Sequence, residues 1–111
     1  MENCIFCKIA AGEIPSNKVY EDEKVLAFRD IDPQAPEHVL LIPKQHFDNI
    51  LEVDGETFAY MQGIVKRVAN ELGIAETGFR VVINTGKDGM QSVNHLHMHI
   101  LGGRSMQWPP G

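Results

Sequence analysis

The sequence has 111 residues, is 43% hydrophobic and carries a formal net charge of −5 at pH 7. A chain of this length forms one compact domain, so we expect a single domain over residues 1–111. The acidic balance excludes a protein that binds nucleic acid polymers through a basic face, although it permits the binding of a single nucleotide.

The N-terminal end carries a pair of cysteines and no targeting signal. Residues 1–4 lack the basic and apolar regions of a signal peptide. No apolar run approaches the roughly 20 residues that are needed to cross a bilayer. We therefore expect a cytoplasmic protein without a membrane partner. In a reducing compartment Cys4 and Cys7 are thiols or metal ligands rather than a disulfide.

The pattern of apolar residues predicts a five-stranded, mainly antiparallel α+β fold with one short and one long helix. The long helix begins after Asp54, a good N-cap residue, and its apolar residues recur at spacings of three and four up to Gly73. Most connections are too short for the crossovers that parallel strands need. The predicted elements are a helix over residues 5–11, strands over 18–20, 25–29 and 38–43, a helical turn over 44–51, the long helix over 55–72, and strands over 79–84 and 95–101.

Three histidines, His95, His97 and His99, alternate with apolar residues in the last predicted strand. Because strand side chains alternate between faces, the three imidazoles project from one face, roughly 6–7 Å apart. Surface histidines on an edge strand would give the same pattern, but the adjoining loop is itself built like a site. One zinc ion held by all three is disfavoured, since the outer rings lie roughly 13 Å apart. Nucleophilic attack on phosphorus by His97 fits this spread better.

The loop that precedes these histidines contains two glycines and two polar side chains. Gly86 and Gly89 allow tight turns with exposed backbone N–H groups, and Gln91 and Ser92 add side-chain donors. Such a loop can cradle a phosphate, whereas the alternative is an ordinary hairpin loop. The position of the loop directly before His95 favours phosphate binding.

The Cys-x-x-Cys spacing of Cys4 and Cys7 suits two ligands of a zinc ion, but a closed site needs two more. The remaining candidates are His38, His46 and one of the three alternating histidines. A thioredoxin-like redox pair is disfavoured because only three residues precede Cys4. Two inert thiols on a terminal helix are the other alternative.

Two acidic residues, Asp30 and Asp32, follow the second predicted strand. A carboxylate at the end of a strand can accept hydrogen bonds from both hydroxyls of a ribose. Either residue can instead cap or fix the loop that follows, which contains two prolines.

Taken together, these motifs resemble the histidine triad superfamily, and within it the Hint branch of nucleotide-binding proteins. Residues 95–101 match the pattern His-φ-His-φ-His-φ-φ, in which φ is apolar. Residues 28–36, 42–44 and 101–104 and the Trp-Pro-Pro-Gly ending resemble the Hint branch. The resemblance covers essentially the whole chain, and it implies a homodimer that joins two sheets into one of ten strands.

The resemblance implies a purine nucleoside phosphoramidase, which hydrolyses the P–N bond of a nucleoside 5′-phosphoramidate. In such enzymes the residue matching His97 attacks the α-phosphorus, and water then releases AMP or GMP from a nucleotidyl-histidine intermediate. His99 lies against the phosphate and Ser92 bonds toward the leaving nitrogen, so His97, His99 and Ser92 are the implied catalytic residues. The implied nucleotide-binding residues are Phe6, Ile9, Phe28, Asp30, Ile31, Asn84, Gln91, Ser92, His97 and His99.

The resemblance also implies a zinc site. Some bacterial relatives carry Cys-x-x-Cys at this place and bind zinc with it, with a histidine after the Ile-Pro-Lys segment and with the first triad histidine. The corresponding residues here are Cys4, Cys7, His46 and His95. A closed set of two cysteines and two histidines is structural, and it leaves His97 free. No organic cofactor is implied.

Met90 departs from the family, which usually has glycine immediately before the Gln-Ser pair. A side chain there bears on phosphate affinity and on the preferred leaving group. Two other functions stand as alternatives: a dinucleoside polyphosphate hydrolase of the fragile histidine triad branch, and a regulatory dimer that binds nucleotides without catalysis. The Leu-Gly-Gly-Arg and Trp-Pro-Pro-Gly segments favour the Hint branch over the first.

Overall fold

A computed structural model describes residues 3–111, so Met1 and Glu2 of the predicted domain lie outside the described residues. The elements are α1 (Ile5–Ala10), β1 (Lys18–Glu21), β2 (Val25–Arg29), β3 (Glu37–Pro43), α2 (Gly55–Glu71), β4 (Phe79–Val82) and β5 (Met98–Gly102). Within these residues the five strands form one sheet in the order β1-β2-β3-β5-β4, and each neighbouring pair is antiparallel. The predicted α+β fold with a long and a short helix is confirmed. No helix in this part of the chain is both long and apolar enough to span a membrane.

The sheet buries a separate apolar cluster on each face, because strand side chains alternate between the faces. On one face, Ala27 and Leu41 pack with the apolar stripe of α2. On the other face, Leu26 and Leu40 pack with the short helix α1. Leu40 pairs directly with His99 across the β3–β5 ladder, so the His99 side chain also lies on the α1 face. The smaller cluster and the histidines therefore share one side of the sheet.

The strand β5 begins at Met98, three residues later than the alternation of the histidines predicts. Its ladder with β3 ends at the pair of Leu41 and Met98. Two residues further along β3, Pro43 has no N–H to donate to a ladder, and its carbonyl oxygen instead lies 2.8 Å from Nε2 of His95. The predicted strand over residues 79–84 is likewise shorter, since β4 ends at Val82.

Residues 44–51, for which the sequence predicted a helical turn, form bends and a single turn without a helix. The main-chain carbonyl of Phe47 accepts a hydrogen bond of 2.7 Å from the N–H of Leu96. This segment is therefore hydrogen-bonded to the chain that leads into β5. As a result, the residues around Phe47 lie beside the histidines.

Candidate functional site

The His97 imidazole is buried on the α1 side of the sheet. Its Nδ1 lies 2.7 Å from the main-chain oxygen of His95. Because a carbonyl oxygen only accepts, Nδ1 carries the proton, and Nε2 of the neutral ring keeps a free lone pair. Burial lowers the pKa of His97 below its ordinary value, which keeps the ring neutral near pH 7. The local backbone thus leaves one imidazole nitrogen unprotonated.

The His99 ring lies next to His97, with 5.1 Å between the ring centroids, and it is hydrogen-bonded to His38. Nε2 of His38 lies 2.9 Å from Nδ1 of His99, and Nδ1 of His38 accepts the N–H of Gln34 at 3.0 Å. Neutral His38 therefore carries its proton on Nε2 and donates it to His99, which leaves the His99 proton on Nε2. Two neighbouring rings therefore differ in function: His97 offers a lone pair, and His99 offers an N–H donor.

A carboxylate lies beside this hydrogen-bonded pair of rings. Oδ2 of Asp30 lies 3.5 Å from Nε2 of His38. Asp30, His38 and His99 are close enough to hold a metal ion. However, a metal on Nε2 of His38 would displace the proton that the Gln34 hydrogen bond requires there. The arrangement therefore favours a hydrogen-bond chain over a metal centre at this place.

A second cluster contains Cys4, Cys7, His46 and His95, whose ligand atoms all lie within 4.8 Å of one another. Sγ of Cys7 is 3.2 Å from Nδ1 of His46, and Sγ of Cys4 is 3.3 Å from Nδ1 of His95. These are the four residues that the family resemblance implies. The structure separates them from His38, which was also a candidate ligand in the sequence.

The remaining ring nitrogens of this cluster test whether its residues fit a metal ion. Nε2 of His95 lies 2.8 Å from the carbonyl oxygen of Pro43, and Nε2 of His46 lies 2.7 Å from Oδ1 of Asp48. Both oxygens accept hydrogen bonds, so each ring carries its proton on Nε2. Both Nδ1 atoms therefore keep lone pairs, and these face the sulfurs. Two sulfurs and two such nitrogens are a donor set for tetrahedral zinc, and a carboxylate behind a histidine is common at zinc sites. The residues present fit the ion.

The Cys7 thiol provides an electrostatic reason for a cation in this cluster. Burial, together with the hydrogen bond and charge of Cys4, raises the pKa of Cys7 to about 11. A bound divalent ion would oppose this, because it stabilises the thiolate form that serves as a ligand. The cluster therefore suits a metal better than a pair of reactive thiols.

Phe6 connects the two groups of histidines. It lies between Cys4 and Cys7 in the sequence, and its ring packs edge-on against three other rings. The centroid distances are 5.0 Å to His97, 6.0 Å to His95 and 5.6 Å to Phe28. The helix α1 therefore contacts both the Cys/His cluster and the His97 ring.

The structure places the other implied nucleotide-binding residues at different depths. Ile9 and Phe28 are buried with Phe6 in the apolar cluster beneath α1. Ile31 is fully exposed, in the loop after β2. Asn84 is half-buried beyond the end of β4.

Gln91 and Ser92 differ in what their side chains contact. The amide nitrogen of Gln91 donates to the carbonyls of Asp48 and Val93 at 2.6 and 2.9 Å, and its oxygen accepts the N–H of Gly86 at 3.0 Å. Gln91 thus fixes the shape of the loop through three backbone contacts. Ser92 is exposed and lines a cavity of about 670 Å³ beside the Cys/His cluster.

The structure gives two residues of the site roles that the sequence does not predict. His38 is a candidate metal ligand in the sequence, but it lies in an apolar strand in phase with Leu40, and this spacing places it on the His99 face. The sequence does not point to Asp48, because a carboxylate two residues after His46 matches no pattern. Its role is visible only from the contact with the His46 ring.

Met90 adopts a positive φ of 62°, a conformation that costs a residue with a side chain about 1–2 kcal/mol. The side chain is 79% exposed, so little packing compensates for this cost. We expect Met90→Gly to raise the free energy of unfolding in urea by about 0.5–1 kcal/mol, after the extra flexibility of glycine in the unfolded chain is included. The control Leu51→Gly, at a position with 84% exposure and no positive φ, should lower it. A loss of stability in Met90→Gly would contradict the expected strain.

Acid is expected to destabilise the fold through His99. Burial, and then the charges of His97 and His38, lower its pKa from 6.5 to about 4. Between these values the unfolded chain binds a proton that the folded chain does not, so the free energy of unfolding falls as the pH falls; above pH 6.5 this group has no effect. Melting temperatures measured above pH 6.5 and between pH 6.5 and about pH 4 check this expected loss of stability. His99→Gln should lose less of its melting temperature on acidification than the wild type, and equal losses would refute the assignment.

Comparisons with known proteins agree with this fold. A family model described as the HIT domain matches residues 11–106. The 14 kDa zinc-binding protein of Zea mays is 54% identical over 96% of this chain and 87% of its own length. The adenylylsulfatase HINT1 of Arabidopsis thaliana is 51% identical over 96% of this chain and 76% of its own. The crystal structure of a HIT family hydrolase from Legionella pneumophila covers 98% of this chain and 100% of its own, with 51% identity and a TM-score of 0.95.

Proposed function

Because this chain belongs to the HIT domain family, we propose that it hydrolyses purine nucleoside 5′-phosphoramidates with His97 as the nucleophile. The observation that carries the proposal is the 2.7 Å contact between Nδ1 of His97 and the carbonyl of His95. That contact leaves Nε2 unprotonated without the need for a separate base. A neutral imidazole is a competent nucleophile near neutral pH.

The reaction has two steps at the α-phosphorus. In the first, Nε2 of His97 forms a bond to phosphorus while the P–N bond of the substrate breaks, and the leaving amine takes up a proton from solvent. Ser92 and the N–H of His99 are the proposed groups that bond to the leaving nitrogen and to the phosphate. In the second step, water attacks phosphorus and loses a proton to solvent, the P–Nε2 bond breaks, and AMP or GMP leaves with His97 restored.

The nucleotide is proposed to bind on the α1 side of the sheet. Phe6, Ile9 and Phe28 form an apolar surface beside His97 that suits the face of a purine. Asp30 is proposed to accept hydrogen bonds from the ribose hydroxyls. The other proposed contacts to the base, ribose and phosphate are those of Ile31, Asn84 and Gln91.

A second substrate class is favoured by one specific comparison. The Arabidopsis relative, 51% identical, is named an adenylylsulfatase. Transfer of an adenylyl group from sulfate requires the same attack on the α-phosphorus, with sulfate in place of an amine as the leaving group. We therefore include adenosine 5′-phosphosulfate as a candidate substrate of the same nucleophile.

The test is release of AMP by the wild-type protein. Adenosine 5′-phosphoramidate, adenosine 5′-phosphosulfate and diadenosine polyphosphate are supplied in parallel, and product is separated by chromatography. Turnover of the phosphoramidate in excess of the other two is the expected result. Preferred turnover of the polyphosphate would favour the dinucleoside hydrolase, whereas AMP binding with no turnover of any substrate would favour the regulatory dimer.

We also propose that Cys4, Cys7, His46 and His95 hold a structural zinc ion. The donor set of two sulfurs and two unprotonated nitrogens supports this. Elemental analysis of purified protein should give about one zinc per chain, and Cys4→Ser should lose it. Stoichiometric zinc that remains in both Cys4→Ser and Cys7→Ser would refute this ligand set.

A homodimer through the β4 edge is proposed as the assembly. β4 is an edge strand with half-exposed apolar side chains at Phe79 and Val81, and Trp108 in the C-terminal segment is 82% exposed. Pairing of two such edges would continue the sheet to ten strands. Sedimentation should give twice the chain mass for the wild type and a lower mass for Val81→Lys. A wild-type monomer would exclude the dimer.

A further inference from the structure

We propose that a zinc ion in the Cys/His cluster and a purine nucleotide beside His97 strengthen each other's binding through Phe6 and His95. This inference rests on the proposed function, because it requires a nucleotide on the α1 face. It goes beyond that function by assigning the metal an effect on ligand affinity. The cluster would then be a control point of the nucleotide site as well as a structural clamp.

The helix α1 is too short to be stable without its contacts to the rest of the protein. The helix has six residues, Ile5–Ala10, and isolated helices of this length are not stable in water. Its N-terminal end is fixed by Cys4, whose sulfur accepts the N–H of Cys7 at 3.3 Å while both thiols face the cluster histidines. Its inner face is fixed by Phe6 and Ile9. A metal that binds both cysteines therefore holds the helix on the sheet.

Phe6 lies between the Cys/His cluster and the proposed nucleotide site. Its ring is 6.0 Å from that of His95, a ligand candidate, and 5.0 Å from that of His97. The same residue belongs to the apolar surface on which a purine would rest. Displacement of α1 would therefore remove one wall of the nucleotide site and an edge contact of the nucleophile.

His95 contacts the cysteines through its ring and His97 through its backbone. Its Nδ1 faces Sγ of Cys4 and Cys7 at 3.3 and 3.5 Å, and its main-chain carbonyl accepts a hydrogen bond from Nδ1 of His97. A ligand bond that fixes the His95 ring therefore also fixes the backbone group that sets the tautomer of His97. Both routes connect the cluster to the α1 face without a contact between the ion and the nucleotide.

Thermodynamic linkage gives the proposal a test that does not depend on turnover. If zinc raises the affinity for AMP by some factor, AMP must raise the affinity for zinc by the same factor. Coupling between two sites in one protein is commonly about 5- to 150-fold. We expect at least about fivefold here, because loss of α1 would remove a wall of the nucleotide site.

The experiment measures both affinities in the full chain. The Kd of AMP is determined by calorimetry with zinc-loaded and chelator-stripped protein, and the Kd of Zn²⁺ by competition with a chromophoric chelator, with and without AMP. Equal changes of at least about fivefold in the two constants support the proposal. An AMP affinity that is the same with and without zinc overturns it while leaving the proposed function intact. Absence of AMP binding in zinc-loaded protein overturns both.

Two variants assign the coupling to its residue. Phe6→Leu keeps an apolar side chain but loses the ring contacts to His95 and His97, so the coupling should fall below about twofold while zinc still binds. Phe58→Leu makes the same replacement in the cluster on the opposite face, and it should keep the full coupling. Undiminished coupling in Phe6→Leu would exclude Phe6 as the connection.

Discussion

Replacement of His97 by alanine is expected to lower kcat/KM for adenosine 5′-phosphoramidate by at least about 10³-fold, as loss of a catalytic nucleophile does in other enzymes. The reason is that, among the described residues, the neighbouring His99 imidazole has the other tautomer. His99 accepts a proton from His38 at Nδ1 and therefore carries its own proton on Nε2. It offers a donor where His97 offers a lone pair, so it cannot replace the nucleophile.

AMP binding separates a chemical role of His97 from a structural one. Among the described residues the imidazole donates to the main-chain carbonyl of His95, and its ring makes one edge contact with Phe6. Phe6 and Ile9 also pack within the apolar cluster under α1, so they should stay in place when the imidazole is removed. His97→Ala should therefore bind AMP with a Kd within about tenfold of the wild-type value, with an unchanged circular dichroism spectrum. Turnover within tenfold of the wild type would show that another group attacks phosphorus.

Gly89→Ala is expected to raise KM for the same substrate by about 10²-fold, the scale that a displacement of about 1 Å in a site produces. A Cβ at this position would lie 2.5 Å from the carbonyl oxygen and 2.8 Å from the nitrogen of Thr85, which are both backbone atoms. The loop cannot relieve this contact by rotating a side chain. It must shift, and with it the proposed phosphate donors and Ser92.

The matched control for Gly89→Ala is Gly63→Ala in the middle of α2. Apart from the adjacent residues and the backbone of α2 itself, no described atom lies within 4 Å of a Cβ built at Gly63, and alanine favours a helix by about 1 kcal/mol over glycine. That variant should be more stable and should keep the wild-type KM. A normal KM in Gly89→Ala would mean that the loop tolerates the shift or does not hold the phosphate.

Hydrophobic periodicity was sufficient for most of the fold. The stripe of α2 and the N-cap at Asp54 follow directly from spacing and residue type, and both are present in the structure. The start of β5 was placed too early because alternation continues through His95 and Leu96, although the chain there is not in the sheet. The alternation of apolar and polar residues shows which side of the chain is buried. It does not show whether the neighbouring strand has a free N–H to donate, and Pro43 of β3 has none.

From spacing alone, the candidate site was predictable in its residue types but not in its grouping, which the family resemblance implied. Spacing alone left His38, His46 and the triad histidines open as partners of the cysteines. Only the fold shows that His95 turns toward Cys4, whereas His38 turns toward His99. This division depends on contacts between residues more than 60 positions apart in the chain, which local sequence does not encode.

The unequal clusters on the two faces of the sheet have a consequence for local unfolding. The cluster under α2 contains thirteen buried residues, whereas that under α1 contains six. Amide protons of α2 and the central strands should therefore exchange with solvent only in the globally unfolded chain, while those of α1 exchange through smaller openings of lower free energy. The protein can thus detach and rebind one short helix many times within the lifetime of a single folded molecule.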